Sequence, residues 1–181
     1  MVTDVRKSIK DLIEAHGRPV KEIYLDSENS GLIFPEALKA MVNAYQEVGR
    51  GHPSITNLAG WMAYEALYQA SETISKFIGV SPSELVFVHS GTEANNLAII
   101  GTALANKTPK REIVVSAIEH LSVIFPAESL QQKGYRTIKI SVNNEGFVKT
   151  DELNKVLGRN TFLVSIAPVN HEIGTIQDIK G

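Results

Sequence analysis

Two strongly apolar segments, "EIVVS" (Glu112–Ser116) and "TFLVSIAPV" from Thr161, limit the folds that this chain can adopt. A strand that is apolar along its whole length needs cover on both faces, which is the usual condition of strands in a parallel sheet. Helical patterns lie between and around these segments, so strands and helices alternate. We therefore predict an α/β fold with a mostly parallel sheet flanked by helices.

Hydrophobic spacing and capping residues place the other elements. Gly79 predicts the end of a long helix, Pro126 a disturbance within another, and Thr150 the N-terminal cap of a short one. Residues 1–21 are predicted to form a helical appendage capped by Thr3, and residues 22–181 one structural unit. The longer predicted helices run from Pro35 to about Val48, Leu58 to Ile78, Thr92 to about Asn106 and Leu121 to about Gln132, and the further strands are "EIYLD" at 22–26 (a strand or an extended arm), "LVFV" at 85–88 and "RTIKISV" from Arg136.

Charge and composition exclude several classes of function. Eighteen Lys and Arg against twenty Asp and Glu give a net charge of −2, which offers no basic surface for nucleic acid or an anionic membrane. The chain has no cysteine, so it carries no disulfide, thiolate metal site or cysteine nucleophile. No apolar run approaches the ~20 residues of a membrane span, and the N-terminus has no signal-peptide core. We expect a soluble, cytoplasmic protein that binds neither nucleic acid nor membrane.

Polar clusters follow three of the predicted strands. "HSGTE" comes after Val88, "AIEH" begins after Ser116, and "NHEIG" comes after Val169. Because ligands of open α/β sheets bind beyond the carboxyl ends of the strands, we expect these clusters at one rim of the sheet. The candidate residues at this rim are His89, Gly91, Thr92, His120, Asn170 and His171.

The helix that opens near Thr92 has the features of an anion site. Free N–H groups and the partial positive charge of a helix N-terminus suit a phosphate, and the Thr92 hydroxyl can add a hydrogen bond. An ordinary capped turn at Gly91 and Thr92 explains the same pattern, and capping or surface roles for His120 and His171 also stay open. The spacing of the histidines supports no metal site.

Several segments, in order, resemble the cysteine desulfurase family, class V enzymes of fold type I that use pyridoxal 5′-phosphate. "YLDSENSGLIFP" corresponds to a family pattern like YLDNAATTPVDP, "GHPS" to GNPS, and "GTEANNLAI" to GATESNNLAI. "EHLSV" corresponds to EHxSV, and "VSIAPVNHEIGTIQDI" to VSIxxVNNEIGxxQPI. The resemblance extends from about Ile23 to Ile179, nearly the whole chain.

The resemblance implies roles for four residues. Gly91 and Thr92 would hold the phosphate of pyridoxal 5′-phosphate, which favours the anion at this helix. His120 would be the catalytic residue of this chain, lying against the pyridine ring and helping to move protons. His171 takes the place of the family's second Asn, which hydrogen-bonds the cofactor. Histidine still offers one donor and one acceptor there, but with a different reach.

Other segments depart from the family pattern. The NAATT loop that borders the substrate is "SENSG" here, with Glu28 and Asn29 where small residues are expected, and "HSGT" moves the glycine one place relative to SGAT. The family's Asp and Gln for the pyridine ring, its Schiff-base Lys and its nucleophilic Cys have no counterpart in this sequence. The resemblance therefore implies half of an enzyme, inactive alone, that needs a complementary C-terminal chain carrying Asp, Lys and Cys. Because family members are dimers, a dimer of such pairs is expected.

Three functions stay open. The first is the N-terminal half of a split cysteine desulfurase, which moves sulfur from L-cysteine to an enzyme-bound persulfide for iron–sulfur clusters or other sulfur transfer. The second is a non-catalytic scaffold or binding subunit with the same fold. The altered substrate loop favours this second function, while the retained "GTEANN" and "EH" favour the first. The third is another class V reaction, such as transamination or selenocysteine cleavage.

Overall fold

The computed structural model of the chain describes residues 23–27 and 30–179. The predicted N-terminal appendage with its Thr3 cap, and Glu28 and Asn29 of the altered loop, lie outside the described residues. The elements are helices α1 (Pro35–Glu47), α2 (Leu58–Ile78), α3 (residues 91–105), α4 (Leu121–Ser129) and α5 (Thr150–Val156), and strands β1 (Glu112–Ser116), β2 (Arg136–Ile140) and β3 (Thr161–Ser165). Helix α3 is continuous, with π-helical hydrogen bonding in its middle section, Leu97–Gly101.

Capping residues set the ends of the long helix α2. At its start, the Asn57 side chain accepts the Gly60 N–H at 2.9 Å. At its end, Gly79 takes the left-handed conformation with φ 75°, which glycine adopts without the penalty of a Cβ. The predicted bounds Leu58 and Ile78 are confirmed, as is Pro35 as the first residue of α1.

The sheet has the order β2–β1–β3, and both pairs of strands are parallel. Ser116 of β1 lies opposite Ile140 of β2, and Val115 lies opposite Ser165 of β3, so all three strands end at the same edge. The predicted α/β fold with a parallel sheet flanked by helices is confirmed. This edge carries the loops that follow β1 and β3.

The core lies on one face of the central strand β1. Ile113 and Val115 have no exposed surface and pack against side chains of α3, α4 and the turn after α4, namely Ile99, Ala103, Val123, Ala127, Leu130 and Tyr135. The Tyr135 hydroxyl donates to the Ala103 carbonyl at 2.8 Å and so satisfies its polar end inside this core. Helices α3 and α4 are therefore held against the same face of the sheet, next to each other.

Two local predictions are wrong. At 85–88, Leu85 has an extended backbone (φ −96°, ψ 130°), but the segment pairs with no strand in the part of the chain that the structure describes. An extended segment becomes a strand only where a neighbour completes its hydrogen bonds. Residues 23–26 form no strand, so of the two alternatives predicted for this segment the extended arm is left. Thr150 is the first residue of α5 rather than its cap, which is Lys149.

Within the described ranges, no helix combines the length and the apolar character needed to cross a membrane.

Candidate functional site

Side chains on both sides of Gly91 cap the start of α3. Ser90 is the N-cap, and its Oγ accepts the Glu93 N–H at 3.1 Å. Glu93 Oε2 in turn accepts the His89 N–H at 2.8 Å. This backbone hydrogen bond is the main reason that the pKa of the Glu93 carboxyl lies below its usual range. The helix begins at Gly91, one residue before Thr92, and His89 belongs to the cap, with its side chain 99% exposed.

The first N–H groups of α3 are available to an anion. In the described part of the chain, the N–H groups of Gly91 and Thr92 donate to no protein acceptor. A Cβ built on Gly91 would meet nothing within 4 Å, so the space in front of this residue is open. Two free donors at the start of a helix, next to open space, are the arrangement that phosphate groups bind.

His120 caps the start of α4. Its Nδ1 accepts the Ser122 N–H at 3.0 Å and lies 2.7 Å from Ser122 Oγ. A ring nitrogen that accepts a hydrogen bond carries no proton, so the neutral imidazole carries its proton on Nε2. Ser122 Oγ also accepts the side-chain amide of Asn95 at 2.8 Å, which joins α3 to α4. His120 itself is exposed, so a ligand can reach it.

His171 lies against His120. The two rings are in edge-to-face contact, with centroids 5.1 Å apart and planes at 64°. The buried Asn170 fixes the loop that carries His171, because its amide donates to the Ile118 carbonyl at 3.0 Å. The Asn170 side-chain oxygen also accepts two N–H groups of the following turn at 3.0 Å each. The loop after β3 is thus attached to the loop after β1, and the two histidines meet.

Glu119 makes a second connection between these loops. It is 7% exposed, and its Oε1 accepts the Ser116 hydroxyl at 2.8 Å and the Ala167 N–H at 2.7 Å. The motif "EHLSV" contains Glu119 and Ser122, and "GTEANN" contains Asn95, yet sequence reasoning assigned none of the three a role. Their partners lie far away along the chain, and membership of these motifs was the one available signal.

Two cavities share His120. One, of about 440 Å³, is lined by Thr92 and His120, and the other, of about 580 Å³, by His120 and His171. The structure thus brings Thr92, His120 and His171 together at the carboxyl edge of the sheet. Gly91 precedes Thr92 in the first turn of α3 but lines neither cavity, and His89 lies outside both. Among the described residues, no three His, Asp or Glu side chains are grouped so that they could hold a metal ion.

The sequence profile of the family described as Aminotransferase class-V matches residues 23–181. The chain belongs to this family. It is 38% identical over 160 residues to "Cysteine desulfurase IscS" of Dictyoglomus turgidum, an alignment that covers 88% of this chain and 40% of the relative. It is 37% identical over 169 residues to the mitochondrial cysteine desulfurase of Arabidopsis thaliana, covering 93% of this chain and 36% of the relative.

Solved structures give the same result for the fold. A NifS-like protein superposes with a TM-score of 0.81 at 33% identity, covering 86% of this chain and 43% of that protein. The family recognised from the motifs is therefore confirmed. The chain spans about 40% of the length of the curated relatives that it matches, and so corresponds to a part of them.

Proposed function

We propose that this chain provides the phosphate- and ring-binding half of a pyridoxal-phosphate-dependent cysteine desulfurase. The observation that carries the proposal is the position of Thr92, His120 and His171 along two cavities that share His120, with free N–H groups of α3 beside Thr92. These residues fit the cofactor, because an anion site at a helix start lies next to an exposed imidazole that can stack on a flat heterocycle.

Each residue of this chain has a distinct task in the proposed enzyme. Bound pyridoxal 5′-phosphate supplies an electron sink for the reaction. Gly91 and Thr92 bind its phosphate through their N–H groups and the Thr92 hydroxyl. The imidazole of His120 stacks on the face of the pyridine ring and so orients the cofactor. It holds a proton at Nε2, the nitrogen to which Ser122 makes no hydrogen bond. His171 limits the tilt of His120 through the edge-to-face contact and offers a hydrogen bond to the cofactor.

The remaining groups of the reaction come from elsewhere in our proposal. The chain has no cysteine to take up sulfur. We propose that a complementary C-terminal chain, or a further segment of the same protein, carries the Asp, the Lys and the Cys, and that two such units form a dimer.

Exposed apolar surface supports a large interface of this kind. Helix α1 has no buried residue, and α2 leaves Trp61 49% and Phe77 90% exposed. In the unpaired segment 85–88, Val86 is 63% and Phe87 51% exposed. Apolar patches of this extent and unpaired extended segments are features that isolated proteins avoid and that interfaces cover.

Co-expression with a C-terminal half tests the proposal. We expect the two chains to elute together in size-exclusion chromatography, to bind pyridoxal 5′-phosphate and, in the presence of a thiol reductant that reduces the persulfide, to release sulfide from L-cysteine. Thr92→Val should weaken cofactor binding roughly tenfold, since one hydrogen bond to a charged group contributes ~1.5 kcal/mol. Thr92→Ser keeps the hydroxyl and is the matched control, with an affinity within about twofold of the unmodified complex.

Other outcomes separate the alternatives. A complex that binds the cofactor but releases no sulfide would indicate another class V reaction. A folded monomer that binds neither the partner nor the cofactor would indicate a scaffold subunit. Equal cofactor affinity with and without the Thr92 hydroxyl would contradict the assignment of the phosphate to this helix.

A further inference from the structure

A chain of three polar side chains runs from α3 to α4 behind the site. The Asn95 amide donates to Ser122 Oγ at 2.8 Å, and Ser122 Oγ lies 2.7 Å from His120 Nδ1. Ser122 is 7% exposed and Asn95 is half-buried, so water competes little for these hydrogen bonds. The group at the end of this chain, His120, is the one that lines both cavities.

The Asn95 amide favours one direction for these hydrogen bonds, because the hydrogen that it donates occupies a lone pair of Ser122 Oγ. A serine hydroxyl has one hydrogen to donate and can accept from other groups. Because Ser122 Oγ accepts a hydrogen from Asn95, its own hydrogen can point to His120 Nδ1. Nδ1 must then offer its lone pair, which leaves the proton of the neutral ring on Nε2.

A simpler explanation needs only the helix cap. The Ser122 N–H also donates to His120 Nδ1, and this bond alone would favour the same tautomer. The hydroxyl oxygen is the closer of the two groups, at 2.7 Å against 3.0 Å for the backbone nitrogen. At that distance the orientation of the Ser122 hydroxyl affects which nitrogen of His120 carries the proton. A hydroxyl that points its hydrogen at Nδ1 favours an unprotonated Nδ1, and one that turns away presents a lone pair and favours a protonated Nδ1.

We propose that Asn95 is a positioning residue, which acts through Ser122 to keep His120 in the tautomer with its proton on Nε2. With Nδ1 engaged, the imidazole gives or takes a proton toward a ligand only at Nε2. A role of this tautomer in proton transfer near the cofactor rests on the proposed function. The tautomer itself is a property of the polypeptide and is measured without any cofactor.

Asn95→Asp reverses the chain of hydrogen bonds with little change in shape. A carboxylate accepts the Ser122 hydroxyl, whose oxygen then presents a lone pair to His120 Nδ1 and favours a proton there.

The measurement uses the full polypeptide labelled with ¹⁵N-histidine, in which long-range ¹H–¹⁵N spectra separate protonated from unprotonated ring nitrogens. Five histidines make assignment practical, with His120→Asn identifying the signal. We expect the ratio of Nε2–H to Nδ1–H to fall roughly fivefold, the change that one typical hydrogen bond produces.

Asn96→Asp is the matched control, since it adds the same charge one residue along α3, where the amide donates to the Thr92 carbonyl instead of Ser122. It should leave the His120 tautomer ratio unchanged.

If the added charge of N95D prevents folding, Asn95→Ala removes the amide without a charge and should shift the ratio in the same direction by a smaller factor. Folded variants at position 95 that keep the His120 spectrum of the unmodified chain would show that the backbone cap acts alone and would overturn the proposal. A shift of equal size in N96D would overturn it as well, because it would reduce the effect to nearby charge. Neither result depends on cofactor binding or sulfide release.

Discussion

Removal of the Glu119 carboxylate should cost this chain more stability than any single surface ion pair. Its Oε1 accepts two hydrogen bonds, from the Ser116 hydroxyl and the Ala167 N–H, and so joins the ends of β1 and β3. The residue is 7% exposed. Glu119→Ala leaves both donors without their acceptor, close to the loops that carry His120 and His171.

The magnitude follows from these two bonds. A hydrogen bond to a charged acceptor contributes ~1.5–3 kcal/mol, so the pair contributes ~3–6 kcal/mol. The cavity of about 580 Å³ that Glu119 lines lets water reach the freed donors. We therefore expect Glu119→Ala to lower the free energy of unfolding by about 2–4 kcal/mol, less than the full sum. Glu119→Gln keeps an oxygen in the same place and should lose only about 1 kcal/mol, because it removes the charge and not the acceptor.

Urea unfolding of the full chain, followed by circular dichroism, measures these differences. Glu128→Ala is the control, because Glu128 Oε1 lies 2.7 Å from Lys139 Nζ in a pair whose side chains are 40% and 45% exposed. An exposed pair of this kind contributes ~0.5 kcal/mol. Equal losses for Glu119→Ala and Glu119→Gln would refute the reasoning, and so would a loss for Glu119→Ala no larger than that of the control.

Three further measurements test other parts of the structure. Gly146→Ala should lower the free energy of unfolding by about 2–3 kcal/mol, because φ is +84° and the new Cβ would lie 2.8 Å from Thr175 Oγ1, which its hydrogen bond to the Glu145 carbonyl holds in place. Gly79→Ala, with φ +75° and open space around it, should lose only about 1 kcal/mol in the same urea titration, and equal losses would contradict the clash. The folded-state pKa of Glu93 is depressed, so its stabilising effect is present above the unfolded pKa and is lost as the pH falls through the folded pKa. Glu93→Gln should therefore flatten the acid side of a plot of urea midpoint against pH, and an unchanged slope would contradict the capping role. Finally, the chain mixed with pyridoxal 5′-phosphate and reduced with borohydride should yield no single lysine labelled in stoichiometric amount, since no lysine lies in a segment like the family's Schiff-base motif; peptide mapping decides this.

The elements that sequence predicts to the residue are those whose ends depend on local chemistry. Helix α2 ends where Gly79 takes a left-handed conformation that other residues avoid, and β1 is a short apolar run between polar residues. Local patterns fail where the partner is remote. The segment 85–88 has the composition of a strand and an extended backbone at Leu85, but hydrogen bonding from another strand is not encoded in its own residues.

The same distinction applies to the site. The positions of His120 and His171 near one edge follow from the rule that ligand-binding loops come after parallel strands. Thr92 is predicted by the same rule, but it follows a segment that pairs with no described strand. The side chains that hold them do not follow from any such rule, because Asn95 and Ser122 are separated by 27 residues, and Glu119 and Ala167 by 48. A pattern within one segment carries no information about which distant group completes a hydrogen bond.

The position of Thr92 at the site does not depend on a paired strand at 85–88, although the sequence-based prediction linked the two. Sequence reasoning places Thr92 at the rim because a strand at 85–88 would carry it there. In the structure Thr92 lines a cavity with His120 although 85–88 pairs with no described strand, because α3 packs on α4 through the core and through the Asn95–Ser122 hydrogen bond. Helix packing therefore positions this side of the site before any further strand is added. In the proposed enzyme, the complementary chain or further segment would pair with 85–88 and bring the reactive groups, and it would find Thr92 and His120 already in place.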